Sequence, residues 1–409
     1  MFNNLIPRFF SDRTQIIVGL DLGTSQVTVA VGEVNTNGTL TIIGGARAPS
    51  RGVQKGEIVD FEKVEEDIRA AMVDAEKVAD VEIGSVFLSV TGAHLQCLNN
   101  RGLLRIESVD HEITQDDVQD VLRNAKAFNK PSENTVLHAI RQLFVVNGQE
   151  GIPNPIGRQC SMLELDVHVV HGVTPRLQNP VLAVRELQMD VEELVFSGLA
   201  SSLAVLTPEQ KEMGTLVIDM GAGTTEFVVY AGGVVRHTGV IAVGGQHVTN
   251  DLSYGLKVST SRAEELKIKY GSALHDHSIK GETVSLDNGL GMQEKSINLE
   301  HLHRIMYARL EETFQLIDQQ LDEEGLHDQI RAGVVITGGG AKVPEIAKLA
   351  HDVFDLDATT GHASIMNGQK AILDDPENAT AIGLVSYAAI RQKSRKKKGL
   401  FGAKPVGTA

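Results

Sequence analysis

Two segments of the chain carry the same order of apolar and polar positions. The apolar run at residues 16–22 leads into the sequence DLGTS, at residues 21–25, and a β-rich run follows at residues 27–34. Much later, VIDMGAGTTE begins with a similar apolar run and leads into a second β-rich run at residues 227–230. Short apolar runs separated by glycine turns predict strands. Each segment therefore predicts a strand, a tight turn and a strand, and their likeness predicts two homologous halves.

The residue types in both turns are suited to phosphate. Glycine lets the backbone approach an anion closely, and Thr or Ser adds hydroxyl donors beside successive N–H groups. Asp21 and Asp219, at the strand ends, add carboxylates that can hold Mg²⁺ through its water shell. Either turn alone is typical of an ordinary hairpin. Because the two turns form a pair, we predict that Asp21 and Asp219 face each other across a phosphate-binding cleft.

Two further glycine clusters end apolar runs and precede helical patterns. TGGG, which contains Gly338, Gly339 and Gly340, precedes a predicted helix at about residues 343–354. Gly244 and Gly245 precede a second one at residues 246–256. A glycine turn before a helix offers free N–H groups and a favourable dipole to an anion or a base. For Gly244 and Gly245 a simple turn is an equally good interpretation.

Composition and charge narrow the class of protein. A chain of 409 residues with 42% hydrophobic residues predicts two domains with sizeable cores. A net charge of -15 argues against a nucleic-acid-binding surface. Cys97 and Cys160 are too few to cross-link the chain, and no apolar run is long enough for a spanning helix or a secretory signal. We therefore expect a cytoplasmic protein with reduced cysteines.

Together these motifs resemble the actin, sugar-kinase and heat-shock-chaperone superfamily. Within it the chain resembles the FtsA family, actin-like bacterial division proteins that link the ring of tubulin-like FtsZ to the membrane. The matching sequences are DLGTS, VIDMGAGTTE, VGGQHVTND, RAEELKIKYG, VVITGGGAKVPEI and NATAIGLVSYA. The resemblance implies an α/β, actin-like (ribonuclease H-like) two-domain ATPase fold with a small α+β inserted subdomain. It also implies ATP and Mg²⁺ as ligands, with magnesium positioned by Asp21 and Asp219.

The resemblance assigns the other nucleotide contacts residue by residue. Glu264 and Lys267, which share one face of a predicted helix, match positions facing the base and ribose; an exposed ion pair is the alternative. Gly338, Gly339 and Gly340 would flank adenosine, and Gly244 and Gly245 would join the site. The phosphate-binding residues would be Gly23, Thr24, Ser25, Gly221, Ala222, Gly223, Thr224 and Thr225.

One position departs from the hydrolysing relatives. Where these often place Glu or Gln to orient the attacking water, this sequence has Ser197. A serine binds water but is no carboxylate base near neutral pH. We therefore expect ATP binding with at most slow hydrolysis.

The resemblance also implies partners. Arg309 and Glu312 match the Arg-x-x-Glu helix of the groove for the FtsZ C-terminal peptide, although a plain same-face ion pair is an even alternative. The chain would polymerise with itself, and the inserted subdomain would contact later division proteins. A pilus-assembly actin-like scaffold and a small-molecule kinase are the alternatives. A chaperone ATPase is disfavoured, because no substrate-binding β-domain follows the adenosine loop.

The predicted domain boundaries follow from these assignments. The first core domain comprises residues 15–84 and 171–213, interrupted by the inserted subdomain at 85–170. The second comprises residues 214–246 and 331–390, with an outer part at 247–330 that carries nucleotide and FtsZ contacts. Residues 1–14 form an N-terminal segment, and residues 391–409 form a basic flexible tail.

Both ends of the chain are candidates for membrane contact. Phe2, Leu5, Ile6, Phe9 and Phe10 form one apolar stripe of a possible N-terminal helix, although Pro7 disfavours a regular helix and an arm packed on the domain is equally compatible. The six basic residues within 391–398 would attract anionic inner-membrane lipids. We therefore expect a peripheral protein on the inner face of the cell membrane at the division site.

Overall fold

The computed structural model describes residues 14–107, 110–275, 281–286, 295–363 and 367–401. The predicted N-terminal apolar stripe and residues 402–409 lie outside this range. The strands are β1 (Gln15–Leu22), β2 (Gln26–Val34), β3 (Leu40–Pro49), β4 (Val53–Gln54), β5 (Glu57–Ile58), β6 (Ser85–Val90), β7 (Gln96–Arg105), β8 (Asn134–Val146), β9 (Gln149–Ile152), β10 (Met162–Val173), β11 (Asp190–Phe196), β12 (Thr215–Met220), β13 (Thr225–Ala231), β14 (Val234–Ile241), β15 (Thr283–Leu286), β16 (Lys295–Asn298), β17 (Val334–Thr337), β18 (Ala358–Thr360) and β19 (Asn367–Gly368). The α-helices are α1 (Phe61–Ala79), α2 (Gln115–Lys126), α3 (Thr174–Glu186), α4 (Ser197–Val205), α5 (Pro208–Met213), α6 (Gly245–Leu256), α7 (Thr260–Tyr270), α8 (Leu299–Glu323), α9 (Ile346–Phe354), α10 (Lys370–Leu373) and α11 (Ala379–Phe401).

Two sheets of like topology form the core of the two halves. The first is a 6-stranded sheet in the order β11-β6-β1-β2-β3-β19, and the second is a 5-stranded sheet in the order β14-β13-β12-β17-β18. In each sheet the strand that carries the predicted Asp, β1 or β12, pairs antiparallel with the next strand along the chain. On its other side it pairs parallel with a strand from further along, β6 or β17. Asp21 and Asp219 therefore occupy equivalent positions in the two halves.

The inserted subdomain is a separate 4-stranded sheet in the order β7-β10-β8-β9, covered by α2. Its own core includes Phe144, Leu163 and Leu165, all fully buried. The predicted start of this subdomain at residue 85 is wrong, because β6 pairs with β1 and β11 in the first sheet. Five of the six residues of β6 are buried, which is typical of a parallel strand covered on both faces.

The last helix returns to the first half, so the assignment of residues 379–390 to the second domain is wrong. A Cβ built on Gly383 would lie 1.8 Å from the Ala200 carbonyl oxygen in α4, and one on Gly19 would lie 2.3 Å from that of Ala381. Glycine is needed at both positions because the backbones touch there. β19 also joins the first sheet, through β3.

The predicted flexible tail is partly helical, because α11 continues to Phe401. Arg, Lys and Gln are good helix formers, and adding residues to an existing helix avoids the cost of nucleation. Arg391 is further held by Glu193 at 3.0 Å. No helix among the described residues combines the length and the apolar character that crossing a bilayer requires.

A buried histidine stabilises the contact between the inserted subdomain and the first sheet. His138, on β8, is 6% exposed, and its Nε2 accepts a hydrogen bond from the backbone N–H of Phe196 at 2.9 Å. Burial lowers the pKa of His138 to about 4, despite the nearby carboxylate of Glu193. The side chain is therefore neutral at physiological pH.

Acidification should weaken the fold through His138. Between pH 6.5 and about 4 the unfolded chain protonates this histidine while the folded chain does not. The unfolded state then binds more protons, so stability falls as pH falls, by up to about 1.4 kcal/mol per pH unit. Urea unfolding at several pH values should show a shallower slope for His138→Gln than for the unaltered chain. His362→Gln, at an exposed position, is the control, and an equal slope in His138→Gln would contradict the assignment.

Candidate functional site

A cavity of about 400 Å³ lies between the two halves. Both Asp-Gly-hydroxyl turns, the glycine loop after β17 and the start of α6 line it. Most of the predicted ligand residues lie on its wall: Asp21, Gly23, Thr24, Ser25, Ser197, Asp219, Gly221, Ala222, Gly223, Thr224, Gly244, Gly245, Glu264, Lys267, Gly338, Gly339 and Gly340. Thr225 does not line it, because its hydroxyl donates a 2.8 Å hydrogen bond to the Val243 carbonyl.

The two turns contact each other at the centre of this cavity. Thr24 Oγ1 accepts a 3.2 Å hydrogen bond from the N–H of Gly56, which holds the hydroxyl in place. A Cβ built on Gly223 would lie 2.3 Å from the same oxygen. Any larger residue would therefore push the two turns apart. Each turn is also closed internally, by N–H donation from Gly23 to Gln26 and from Gly221 to Thr224.

Three carboxyl groups share the floor of the cavity. Burial raises the pKa of Asp21 to about 7, with a further contribution from the charge of Asp219. Burial likewise raises the pKa of Asp219, although hydrogen bonds from Ser201 and Thr380 oppose this shift. A cation bound between these carboxyls would favour their ionised forms, and Mg²⁺ prefers oxygen ligands. The donor set therefore fits a magnesium ion.

The third carboxyl, Glu226, was missed by the sequence prediction. It is 3% exposed on β13, and it accepts a hydrogen bond from the hydroxyl of Thr91 at the junction with the inserted subdomain. Burial, followed by the charge of Asp219, raises its pKa to about 8. A charged residue in the otherwise apolar continuation of the second turn is the signal that could have identified it.

The opposite part of the cavity combines an ion pair with an apolar wall. Lys267 Nζ lies 2.8 Å from Glu264 and 2.9 Å from the Thr249 hydroxyl, and it donates to the Gly245 carbonyl at 3.1 Å. The pair thus joins α7 to the start of α6 and is not merely an exposed ion-pair face. The apolar lining is suited to a planar base and consists of Ile268, Met306, Leu310, Val343 and Pro344.

The predicted partner residues lie outside the cavity, on α8. Arg309 Nε donates to Asp251 on α6 at 2.5 Å, and its guanidinium also binds Glu312. Arg309 therefore connects two helices of the outer part of the second half. Its side chain is about one-quarter exposed, so a ligand could still reach the ion pair.

Solved structures with a similar chain path identify the fold. A chain of the PilM-PilN type IV pilus biogenesis complex superimposes with a TM-score of 0.65 at 15% identity, covering 91% of this chain and 98% of that one. MreB5 of Spiroplasma citri bound to ADP gives a TM-score of 0.55 at 16% identity, covering 95% and 99%. Two like sheets around a cleft, with an α+β insert in the first half, define an actin-like two-domain protein.

Family models match two parts of the chain. "Cell division protein FtsA" matches residues 216–383, and "SHS2 domain inserted in FTSA" matches residues 92–171. The chain belongs to the FtsA family of cell division proteins. FtsA of Pseudomonas aeruginosa is 34% identical over 389 residues, which are 95% of this chain and 93% of that protein. FtsA of Borreliella burgdorferi is 39% identical over 388 residues, which are 94% and 93%.

Gly338 provides a test of how tightly the cavity is built. Its φ is 77°, and a Cβ there would lie 2.3 Å from Asp219 Oδ1 and 2.8 Å from the Met220 carbonyl. Gly148, at a hairpin with a φ of 82°, has no atom within 4 Å of such a Cβ and is the matched control. Gly148→Ala should cost about 1–2 kcal/mol of backbone strain. Gly338→Ala should cost about 1–3 kcal/mol more in urea unfolding, because it overpacks the cavity and because its ψ of -175° lies in a backbone region that is nearly restricted to glycine; equal costs would contradict this description.

Proposed function

We propose that the chain binds ATP with Mg²⁺ in this cavity and polymerises as an actin-like filament. In this role it tethers the FtsZ ring to the inner face of the cytoplasmic membrane and recruits later division proteins through the inserted subdomain. The observation that carries the nucleotide proposal is the convergence of both Asp-Gly-hydroxyl turns on one cavity. Family membership supports the division role.

Each part of ATP has a suitable counterpart in the cavity. The two glycine turns would bind the phosphates through backbone N–H groups and the hydroxyls of Thr24, Ser25 and Thr224. The N-terminus of α6 adds a positive dipole end. The apolar wall and the Glu264–Lys267 pair would receive the base and ribose. Magnesium, held through water by Asp21 and Asp219, would neutralise phosphate charge.

Hydrolysis is expected to be slow for two reasons. Ser197 occupies the position predicted for a water-orienting residue, and its hydroxyl is buried without a hydrogen-bond partner in the described part of the chain. Burial and the charge of Asp219 raise the pKa of Glu226, which favours its protonated form, and its carboxyl already accepts a hydrogen bond from the Thr91 hydroxyl. A protonated carboxyl cannot accept a proton from an attacking water.

Calorimetry with ATP and Mg²⁺ should detect binding by the unaltered chain. Gly223→Val should weaken that binding at least about tenfold. The valine side chain would separate the two turns, and the complex would lose the free energy of roughly one hydrogen bond to phosphate. Gly84→Ala is the control, since a Cβ there meets no atom within 4 Å. Turnover should stay far below the roughly 10 s⁻¹ that is typical of enzymes. Absence of any ATP binding by the unaltered chain would refute the nucleotide proposal.

The membrane and FtsZ parts of the proposal can be tested together. The chain should sediment with anionic liposomes and recruit a labelled FtsZ C-terminal peptide to them. Arg309→Glu should keep the sedimentation but weaken peptide recruitment about tenfold or more, because it reverses a charge at the proposed contact. Removal of residues 1–11 should weaken sedimentation itself.

The control for Arg309→Glu is Arg304→Glu, an exposed position on the same helix. It introduces the same charge change without affecting the pair with Asp251. Equal peptide recruitment by the Arg309 and Arg304 variants would exclude Arg309 from the contact. Undiminished sedimentation of the truncated chain would exclude the N-terminal segment as an anchor.

A further inference from the structure

One short segment is bonded to both halves directly beside the cavity. It is the 3-10 helix Pro376–Asn378, which immediately precedes α11. Its Pro376 carbonyl accepts a 3.2 Å hydrogen bond from the N–H of Gly338, in the glycine loop of the second half. Its Asn378 Oδ1 accepts a 2.8 Å hydrogen bond from Nε of Arg47, on β3 of the first half.

Two carboxylates at this segment are each shared between a cation of one half and a cation of the other. Asp375 lies 2.8 Å from Arg47 and 2.9 Å from Lys342. Glu377 lies 2.8 Å from Arg47 and 3.0 Å from Lys342. We call these four residues the interdomain ion cluster. Gln26, on β2 of the first half, adds a 2.8 Å hydrogen bond to Glu377.

The interdomain ion cluster adjoins the proposed nucleotide site. Lys342 and Glu377 line the cavity, and Lys342 ends the helical turn that begins at Gly339. Glu377 Oε1 lies 3.7 Å from the position of a Cβ on Gly339. Two residues beyond Asn378, the Thr380 hydroxyl donates to Asp219 at 2.9 Å. A displacement of the glycine loop or of Asp219 therefore acts directly on this segment.

The cluster is sheltered enough to matter energetically. The side chains of Arg47, Asp375 and Glu377 are about one-quarter exposed, and that of Lys342 is 46% exposed. Isolated exposed ion pairs contribute little, but networks with partly buried members are screened less by salt. If one cation is removed, only the other cation remains to compensate the negative charges of the two neighbouring carboxylates.

We propose that the interdomain ion cluster couples nucleotide occupancy to the relative position of the two halves. This inference rests on the proposed binding of ATP in the cavity. ATP binding against the glycine loop would be transmitted through Glu377 and Asp375 to Arg47 in the first sheet. A ligand shifts a conformational equilibrium only through differential interaction with its states. ATP would supply that difference through its contacts with the glycine loop, Lys342 and Glu377, whose positions the cluster ties to Arg47.

Distance measurements between spin labels test this coupling. Labels would replace Lys77 on α1 and Lys269 on α7, which are both exposed, in a chain carrying Cys97→Ser and Cys160→Ala. In the chain with an intact cluster, saturating ATP and Mg²⁺ should shift or narrow the distance distribution. Arg47→Met and Lys342→Met, each measured at its own saturating ATP concentration, should lose that response. Lys342→Arg should retain it, since the charge is kept.

Arg51→Met is the matched control. Arg51 pairs with Glu66 and Asp67 at 2.9 and 2.6 Å, but all three residues lie in the first half. Its loss should leave the ATP response unchanged. The inference is overturned if Arg47→Met and Lys342→Met both respond like the intact chain, or if Arg51→Met loses the response equally.

Calorimetry on the labelled chain distinguishes a failure of ATP binding from a failure of the coupling. If it detects no ATP binding, the proposed function fails. If ATP binds but the distance distribution between the two labels does not change in the chain with the intact cluster, only the coupling fails. The double variant with Arg47→Met and Lys342→Met should show no further loss of the ATP response than either single variant, because both cations act in the same cluster.

Discussion

The structure is organised around the burial of three carboxyl groups between two glycine turns. Asp21 and Asp219 come from equivalent strands of the two halves, and Glu226 comes from the strand after Asp219. Burial opposes ionisation at all three, as their raised pKa values indicate. The surrounding hydroxyls of Ser89 and Thr380 compensate only in part. A cation bound among these carboxyls would favour their ionised forms.

The position of each carboxyl depends on packing that lies behind the cleft. β12 is buried along its entire length, and β1 is buried along most of its own, so both strands are fixed within their sheets. α11 then crosses from the second half to the first and packs on α4. Close backbone contact at Gly383 and Gly19 holds α11 against α4 and β1. Residues of both sheets, of α4 and of α11 therefore belong to one apolar core, so the packing behind the cleft is continuous between the two halves.

The parts that were predictable from the sequence are those encoded by local patterns. Both turns and the glycine loop at Gly338 were recognisable because each lies within one short stretch of chain, whereas the insert was implied by the family resemblance. The edge of the insert was misplaced, since the apolar run of β6 does not reveal which sheet it joins. The helical continuation of α11 beyond residue 390 was missed because its run of basic residues was interpreted as a flexible tail, although Arg, Lys and Gln favour a helix.

The interdomain ion cluster was not predictable for a different reason. Arg47, Lys342 and Glu377 are far apart in the sequence, and an isolated charged residue is usually just a solvated one. Their proximity follows from three separate facts: the register of β3, the turn after β17 and the return of the chain into α11. Each fact depends on long-range packing. Interactions that join the two halves are therefore the ones that a pattern-based interpretation misses.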